Sequence, residues 1–576
     1  MKRWILVASP LLLTLGIYRF RRHLAARLLR LPPPRCDVEV DRNIPVTMPD
    51  GIHLLTDHYA PKAKGEFPTI LIRTPYGRGK ELALWGGYAL AELPAQRFAE
   101  RGYHVIVQGV RGCYDSEGEF EPHVNEASDG QATVEWITQQ PWFDGKLGTW
   151  GPSYLGYAQW ATAAGGHPSL QAMVPMITSA ENLSVSHPDG AFGLETRLRW
   201  SQGIFALNRI HRQPLWQILL QRFSKKQPQA LQAAFFHLPL LEADVIAAGE
   251  PIPFYRTVLT YNRRDDPFWV ARDHSQAVAQ VVAHVHLIGG WYDYYLRGLL
   301  RDYASLRDTG RRPFLTIGPW SHAQPGGLMT GLREGLTWFD VHLKGRPIKI
   351  REKPVRLYVM GIDEWREYDD YPPPTRPTRY YLHSAGELST TAPENFSSPD
   401  RYVYDPRDPT PALGGALLAF AGAGRQDNAS QEMRPDVLVY TSAVVDQEVE
   451  IIGPVRAELY VQSSLEHTDF FARLCDVDLS GKSTNICDGL VRISPAEGGL
   501  PQDGIRHLEI DMWSTAHCFR RGHCIRLQVS SGAHPRYSRN TGSGEPIESA
   551  TILRVANQAV YHDPAHPSAV LLPVTS

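Results

Sequence analysis

Short apolar runs rich in β-branched residues alternate with helix-prone stretches from about Val38 to Gly345. T-I-L-I-R at Thr69–Arg73, the H-V-I-V run between Arg101 and Gly109, V-V-A-H-V-H-L-I-G-G at Val281–Gly290 and P-F-L-T-I-G at Pro313–Gly318 each read as a buried strand closed by turn residues. Tyr157–Ala164 (Y-A-Q-W-A-T-A-A) is small and helix-prone, as a helix pressed close to a sheet must be, and Leu296–Leu306 also reads as helix. This alternation predicts an α/β core. From Val185 to Gln276 it gives way to helical patterns, such as W-Q-I-L-L-Q-R-F from Trp216 and L-Q-A-A-F-F-H-L from Leu231. From Arg346 onward the period shortens to two. V-R-L-Y-V-M, A-E-L-Y-V-Q and I-R-L-Q-V-S are separated by Pro/Gly turns, which predicts a β-sandwich. The expected organisation is an N-terminal segment at 1–35, a catalytic α/β domain at 36–184 and 277–345, a helical cap at 185–276 and a sandwich at 346–576.

Three polar residues fall just behind strand ends. Gly148–Gly156 reads G-T-W-G-P-S-Y-L-G and puts Ser153 on a turn between strand and helix; glycines on both sides permit a strained backbone and leave the hydroxyl clear. The spacing is G-x-S-x-x-G rather than G-x-S-x-G, and alone it fits a plain Gly/Ser connector equally well. Asp293 follows the strand ending at Gly290, within W-Y-D-Y-Y, and His322 follows P-F-L-T-I-G within P-W-S-H. A lone aspartate there is ordinarily a helix cap, and a lone loop histidine is ordinarily a solvated side chain. Serine, acid and histidine in that chain order, each behind a strand, are the arrangement of an α/β-hydrolase, at the sheet edge where open α/β sheets place their chemistry. In those roles His322 takes the Ser153 proton as the hydroxyl attacks an acyl carbonyl and returns it to the leaving group, while Asp293 fixes the imidazole tautomer. The backbone N–H of Tyr154, at a helix N-terminus, faces the developing oxyanion.

Longer strings carry a family resemblance: R-T-P-Y-G-R at Arg73, V-R-G-C-Y-D-S-E-G-E-F at Val110, V-E-W-I-T-Q-Q-P-W-F-D-G-K-L-G-T-W-G-P-S-Y-L-G from Val134, G-G-W-Y-D at Gly289, G-P-W-S-H at Gly318 and V-M-G-I-D-E-W at Val359. Y-D-P-R-D-P-T-P-A-L-G-G from Tyr404 and R-P-D-V-L-V-Y-T-S from Arg434 extend it. From about Val38 to the C-terminus the chain resembles the cocaine-esterase-like and X-Pro dipeptidyl-peptidase serine hydrolases (the CocE/NonD hydrolases). The resemblance implies Ser153 as nucleophile, Asp293 as acid, His322 as base, Tyr76 as a side-chain oxyanion donor and the N–H of Tyr154 as the second donor. It also implies an α/β-hydrolase core with an inserted helical cap and a C-terminal jelly roll. Without it, Tyr76 reads as an ordinary half-buried aromatic behind the Thr69–Arg73 strand. One departure stands out: Gly109 occupies Q-G-V-R-G, where the family often has an acid that looks structural.

Composition narrows the alternatives. A chain of 576 residues is too long for one core and suggests three or four domains, and 43% hydrophobic with 21% charged residues is ordinary for a globular protein. A net charge of −2, with no recognised fingerprint, gives no footprint for nucleic acid. Six cysteines at this length are not a disulfide framework. No phosphate loop or flavin fingerprint is present, and acyl transfer needs no cofactor. Cys113 reads as an inert loop cysteine, with a reactive thiol near the pocket as the alternative. His517, Cys518, His523 and Cys524 in A-H-C-F-R-R-G-H-C suggest a metal. R-R-G, however, reads as a hairpin turn, and adjacent strand residues point to opposite faces. Neither a structural zinc nor a Cys518–Cys524 disulfide is therefore expected.

The N-terminus stands apart. Trp4–Tyr18 is an apolar stretch of 15 residues between Lys2 and Arg3 on one side and Arg19, Arg21 and Arg22 on the other. That is short of the roughly 20 residues a bilayer span needs, and no A-x-A-like cleavage site precedes the arginines. His23–Leu31 is basic and amphipathic, which suits a membrane surface. Two readings stay open: membrane association through residues 4–31 with the enzyme body on the cytoplasmic side, or an uncleaved leader or mis-assigned start. Pro32–Pro34 reads as a stiff spacer. The function expected from the whole chain is a serine hydrolase that cleaves a small-molecule acyl ester or amide through an acyl-enzyme at Ser153. An X-prolyl dipeptidyl peptidase is the nearest rival; it needs a carboxylate for the substrate's free amine, for which Glu195, Glu242 and Asp189 are candidates. A membrane-attached ligand-binding protein with an idle hydrolase domain is the rival from another class, and the intact Ser153, Asp293, His322 and Tyr76 argue against it.

Overall fold

A computed structural model describes residues 22–79, 88–210, 226–495 and 504–575. The apolar Trp4–Tyr18 stretch and the W-Q-I-L-L-Q-R-F segment lie outside the described residues. The chain forms two compact units.

The first unit comprises the described residues through Met176 together with Gln280–His286 and Leu328–Ile350. Its strands lie in the spatial order β1 (Asp37–Thr47), β2 (His53–Lys62), β4 (His104–Gly109), β3 (Thr69–Thr74), β5 (Leu147–Pro152) and β6 (Leu170–Met176). β1–β2 and β2–β4 pair antiparallel, and the remaining neighbours are parallel. β3 and β4 are buried at every residue. A parallel sheet covered on both faces demands this, which is why T-I-L-I-R and H-V-I-V lack polar alternation. The helix Tyr154–Ala163 buries all ten of its residues, so its small side chains are a packing requirement. Gly130, on the helix Glu126–Thr138, comes so close to it that an added Cβ would lie 2.2 Å from Thr162 Oγ1. Residues 22–28 are helical, with Ala26 buried and Leu24 and Leu28 exposed. No helix among the described residues is long and apolar enough to cross a membrane.

The second unit comprises Ile177–Ala279, Leu287–Gly327 and the described chain from Arg351. Helices Leu194–Ile210, Lys226–Phe236, Ala243–Ala248 and Pro253–Thr260 gather Leu198, Phe235, Tyr255 and Leu259 into one apolar cluster. The L-Q-A-A-F-F run therefore builds a helical core, as its period suggests. The strand β7 (His284–Tyr292) ends in this unit, followed by β8 (Phe314–Ser321). β9 (Val355–Val359) pairs in parallel with β8, and β10 (Glu364–Tyr368) pairs antiparallel with β9. V-R-L-Y-V-M, expected in the sandwich, thus extends the strands of the α/β fold. Its alternating burial suits a half-covered strand in either sheet, so the pattern alone does not select a partner.

The later strands form a predominantly antiparallel second sheet system, the β-sandwich. Thr468–Val477, buried throughout, lies between Ser483–Ile493 and Cys524–Ser530. Val449–Ser463 pairs with Arg506–Phe519 and with Ala569–Thr575. R-R-G is accordingly not a hairpin. It joins Arg506–Phe519 to Cys524–Ser530, which pair with different neighbours. Turn residues specify a local reversal of the chain and not the partner that each strand then meets. The crossing brings His517 and His523 onto one carboxylate: His517 Nε2 is 3.1 Å from Asp476 Oδ2 and His523 Nδ1 is 2.8 Å from Oδ1. Cys518 and Cys524 are free thiols.

Candidate active site

Ser153 stands between β5 and the helix Tyr154–Ala163 with φ 55° and ψ −123°, a conformation that costs a non-glycine residue on the order of 1–3 kcal/mol. The fold over-determines it. Ser153 N–H donates to Met176 O at 2.8 Å, and Ser153 O accepts from the N–H groups of Gly156 and Tyr157 at 2.8 and 2.9 Å. Gly151, at φ 154°, leaves room for the tight reversal, because a Cβ there would lie 2.4 Å from Leu155 Cβ. The Tyr154 N–H occupies the first helical turn, where the backbone dipoles present positive charge.

Tyr76 follows β3 in the same unit. Its N–H donates to Thr74 Oγ1 at 3.1 Å, and its carbonyl accepts from the Tyr114 hydroxyl at 2.9 Å. The residue is half-buried. Gly109, at the end of β4, stands opposite Thr74 in the β3–β4 pairing. An added Cβ would sit 3.2 Å from Arg78 Nη1, and that guanidinium pairs instead with Asp57 at 3.2 Å and Asn43 at 2.6 Å. Asp57 thus supplies the charge that an acid at position 109 would bring. Cys113 is fully buried, which keeps its thiol from solvent reagents.

The second unit holds the other two residues in direct contact. His322 Nδ1 is 2.7 Å from Asp293 Oδ2, with the Asp293 side chain 1% and that of His322 8% exposed. The other carboxylate oxygen, Oδ1, accepts the Tyr295 N–H at 2.7 Å. The Tyr294 ring stacks on the imidazole with centroids 4.3 Å apart, and the Tyr295 ring tilts over it at 5.8 Å. Tyr295 O–H in turn donates to Asn182 Oδ1 at 3.0 Å. A buried carboxylate with both oxygens engaged fixes one imidazole tautomer and supports the imidazolium once it forms. Tyr294, Tyr295 and Asn182 were not singled out by sequence; the aromatic doublet behind Asp293 is the one signal that marks the first two.

The carboxylates considered for a substrate amine are otherwise engaged. Glu195, 2% exposed, accepts the N–H groups of Leu418 and Ala419 at 2.9 and 3.0 Å and pairs with Arg199 at 2.5 Å. Asp189 receives both ends of the Arg297 guanidinium at 2.6 and 3.0 Å. Glu242 is 62% exposed and lies 3.4 Å from His237. Among the described residues, no group of three or more His, Cys, Asp or Glu is arranged to hold a metal ion.

The strand order and the antiparallel C-terminal strands are those of an α/β-hydrolase with a C-terminal β-sandwich. Comparison with known proteins carries the identification one step further. Residues 50–324 match the X-Pro dipeptidyl-peptidase (S15 family), and residues 349–571 match the X-Pro dipeptidyl-peptidase C-terminal non-catalytic domain. The chain is 34% identical to a cocaine esterase from Rhodococcus sp. (strain MB1 Bresler), across 93% of this chain and 98% of that one. It is 25% identical to a putative serine esterase of Mycobacterium bovis, across 92% and 94%. Its fold is similar to that of an α-amino acid ester hydrolase, with a TM-score of 0.79, 23% identity and coverage of 94% of this chain and 97% of that one. An aminopeptidase from a Thaumarchaeota archaeon gives a TM-score of 0.81 at 22% identity, over 94% and 97%. The chain belongs to the S15 family of serine hydrolases, which includes cocaine-esterase-like enzymes.

Proposed function

We propose that this enzyme is an acyl esterase in which Ser153 is the nucleophile, His322 the general base and Asp293 the residue that orients it. The buried Asp293–His322 pair at 2.7 Å carries the reading, because it lies just behind two strand ends of an α/β fold, where an oriented imidazole can serve as general base. Ser153 Oγ attacks the acyl carbonyl as His322 takes its proton; the imidazolium then protonates the leaving alcohol. Water, deprotonated by the same imidazole, releases the acid from Ser153. The N–H of Tyr154 and the hydroxyl of Tyr76 donate to the oxyanion in both steps, and a neutral phenol donates without ionising. On this reading, catalysis belongs to residues 36–184 and 277–345, residues 185–276 cap the site, and the chain from residue 346 adds β9 and β10 to the strands of the α/β fold before it forms a non-catalytic sandwich.

Esters are preferred over peptides with free N-termini for two reasons. The relatives are named as esterases, and Glu195 and Asp189 already have cationic or N–H partners. Labelling with a fluorophosphonate, together with turnover of p-nitrophenyl esters of graded chain length, tests the proposal. The wild type labels and turns over esters, and Ser153→Ala does neither. An unlabelled wild type sinks the triad. The X-prolyl dipeptidyl-peptidase reading takes over if a dipeptidyl-proline amide is cleaved faster than every ester and acetylation of its free amine abolishes cleavage. We also assign residues 4–31 to association with a membrane surface; deleting residues 1–21 then moves the protein from the membrane to the supernatant fraction, and an unchanged distribution refutes it.

A further inference from the structure

The side chain of Tyr154, the residue whose N–H is assigned to the oxyanion, lies in a buried cradle. Its hydroxyl donates to Glu126 Oε1 and accepts the backbone N–H of His123 at 3.2 Å. The His123 ring stacks on the phenol with centroids 4.6 Å apart. His123 itself sits at φ 68°, and its carbonyl accepts the Tyr157 hydroxyl at 3.2 Å. Glu126 is 4% and Tyr154 2% exposed. The same glutamate reaches the strand that leads to Tyr76: its backbone carbonyl accepts Arg73 Nη1 at 2.7 Å, and Arg73 Nε donates to Gln108 Oε1 at 2.9 Å. Arg73 lies on β3, three residues before Tyr76. One residue at the start of the helix Glu126–Thr138 is therefore bonded to both segments that supply oxyanion donors.

We propose that Glu126 is a positioning residue for the oxyanion donors: its carboxylate fixes the Tyr154 phenol, and its carbonyl fixes Arg73 and so the approach to Tyr76. The inference rests on the assignment of Tyr154 and Tyr76 as those donors. Oxyanion stabilisation depends on donors held at the place where charge develops, and a misplacement of about 1 Å costs on the order of 100-fold in rate. A charge-assisted bond from a phenol to a buried carboxyl is suited to that hold. Burial pushes the Glu126 carboxyl above its usual range, while the nearby Arg73 guanidinium opposes the rise.

The test compares Glu126→Gln, Glu126→Leu and Tyr154→Phe with wild type. The measurements are kcat, KM, thermal midpoint and the second-order rate of fluorophosphonate labelling, whose tetrahedral adduct puts an oxygen where the oxyanion forms. Glu126→Leu and Tyr154→Phe are expected to lower kcat and the labelling rate together by about 10- to 100-fold, with KM within twofold of wild type. Glu126→Gln, whose amide oxygen still accepts the phenol, restores most of the rate. The proposal is overturned if both rates are unchanged in folded Tyr154→Phe, or if Glu126→Gln is as impaired as Glu126→Leu. Should Glu126→Leu fail to fold, Tyr154→Phe decides, since it removes a single oxygen. A wild type that does not label at Ser153 refutes the underlying assignment, whereas labelling at Ser153 with indifferent Tyr154→Phe refutes this inference alone.

Discussion

Asp293 uses its two oxygens for different ends. Oδ2 holds the imidazole of His322 and Oδ1 holds the Tyr295 N–H, so the carboxylate cannot rotate without losing one of them. Asp293→Asn keeps the shape but offers an amide, which favours the wrong imidazole tautomer. Its kcat on a p-nitrophenyl ester is expected to fall by about 10,000-fold with little change in KM. Tyr76→Phe removes the hydroxyl proposed as an oxyanion donor and is expected to cost about 100- to 1000-fold in kcat, again with KM nearly constant. A loss confined to KM would make Tyr76 a binding residue instead. At this scale the sequence was informative for Asp293 and His322, which follow apolar β-branched runs, but less so for Ser153, because L-G-T-W-G-P, the strand it closes, carries two glycines and a proline and shows no strand-like period. Tyr295–Asn182 and Tyr154–Glu126 were not legible. These bonds join residues 113 and 28 positions apart, and no local pattern records such a meeting.

Elements in this protein are tied by buried polar bonds as much as by apolar packing. Glu195, on the helix Leu194–Ile210, receives two backbone N–H groups from the glycine-rich loop at Leu418 and Ala419. Glu195→Ala leaves both half-buried donors without this acceptor, at a cost below the ~1–3 kcal/mol of a fully buried one. The expected result is a lower thermal midpoint and faster proteolytic cleavage within residues 414–424, and an unchanged cleavage pattern would count against the bond. The type of most elements followed from hydrophobic period, while their partners did not. V-R-L-Y-V-M pairs with Phe314–Ser321, and R-R-G crosses between strand groups. Alternation specifies that one face is covered and says nothing about which sheet does the covering.

Across the whole molecule, burial suppresses histidine protonation at separate places. His58 Nε2 and His104 Nδ1 lie 2.9 Å apart with the Trp142 ring stacked on both, and burial pulls each down to about 4. Burial also takes His187 and His342 to about 4 and His534 to about 3. The sign follows from proton counting. Between about pH 6.5 and pH 4 the unfolded chain binds protons at these sites and the folded chain does not, so stability rises with pH in that window. The thermal midpoint is therefore expected to drop steeply from pH 6.5 to pH 4. The enclosed His187 and His534 each contribute at most on the order of 3 kcal/mol to the fall, and the more exposed His104 and His342 contribute less because solvent screens them. The double variant His58→Gln/His104→Gln should flatten the decline. A midpoint independent of pH down to 4 would show these rings to be protonated in the folded state. None of this was legible from 22 histidines in the sequence, because burial is a property of the assembled fold.

The hold of Glu195 on the loop also bears on descent. Its partners lie 223 and 224 positions further along the chain, beyond the junction at which one matched family segment ends and the next begins. A gene that traded its second half for one without the matching loop would lose both N–H bonds and leave Arg199 as the partner of Glu195. Recombination among relatives preserves these two bonds only when the crossover carries the matching loop along.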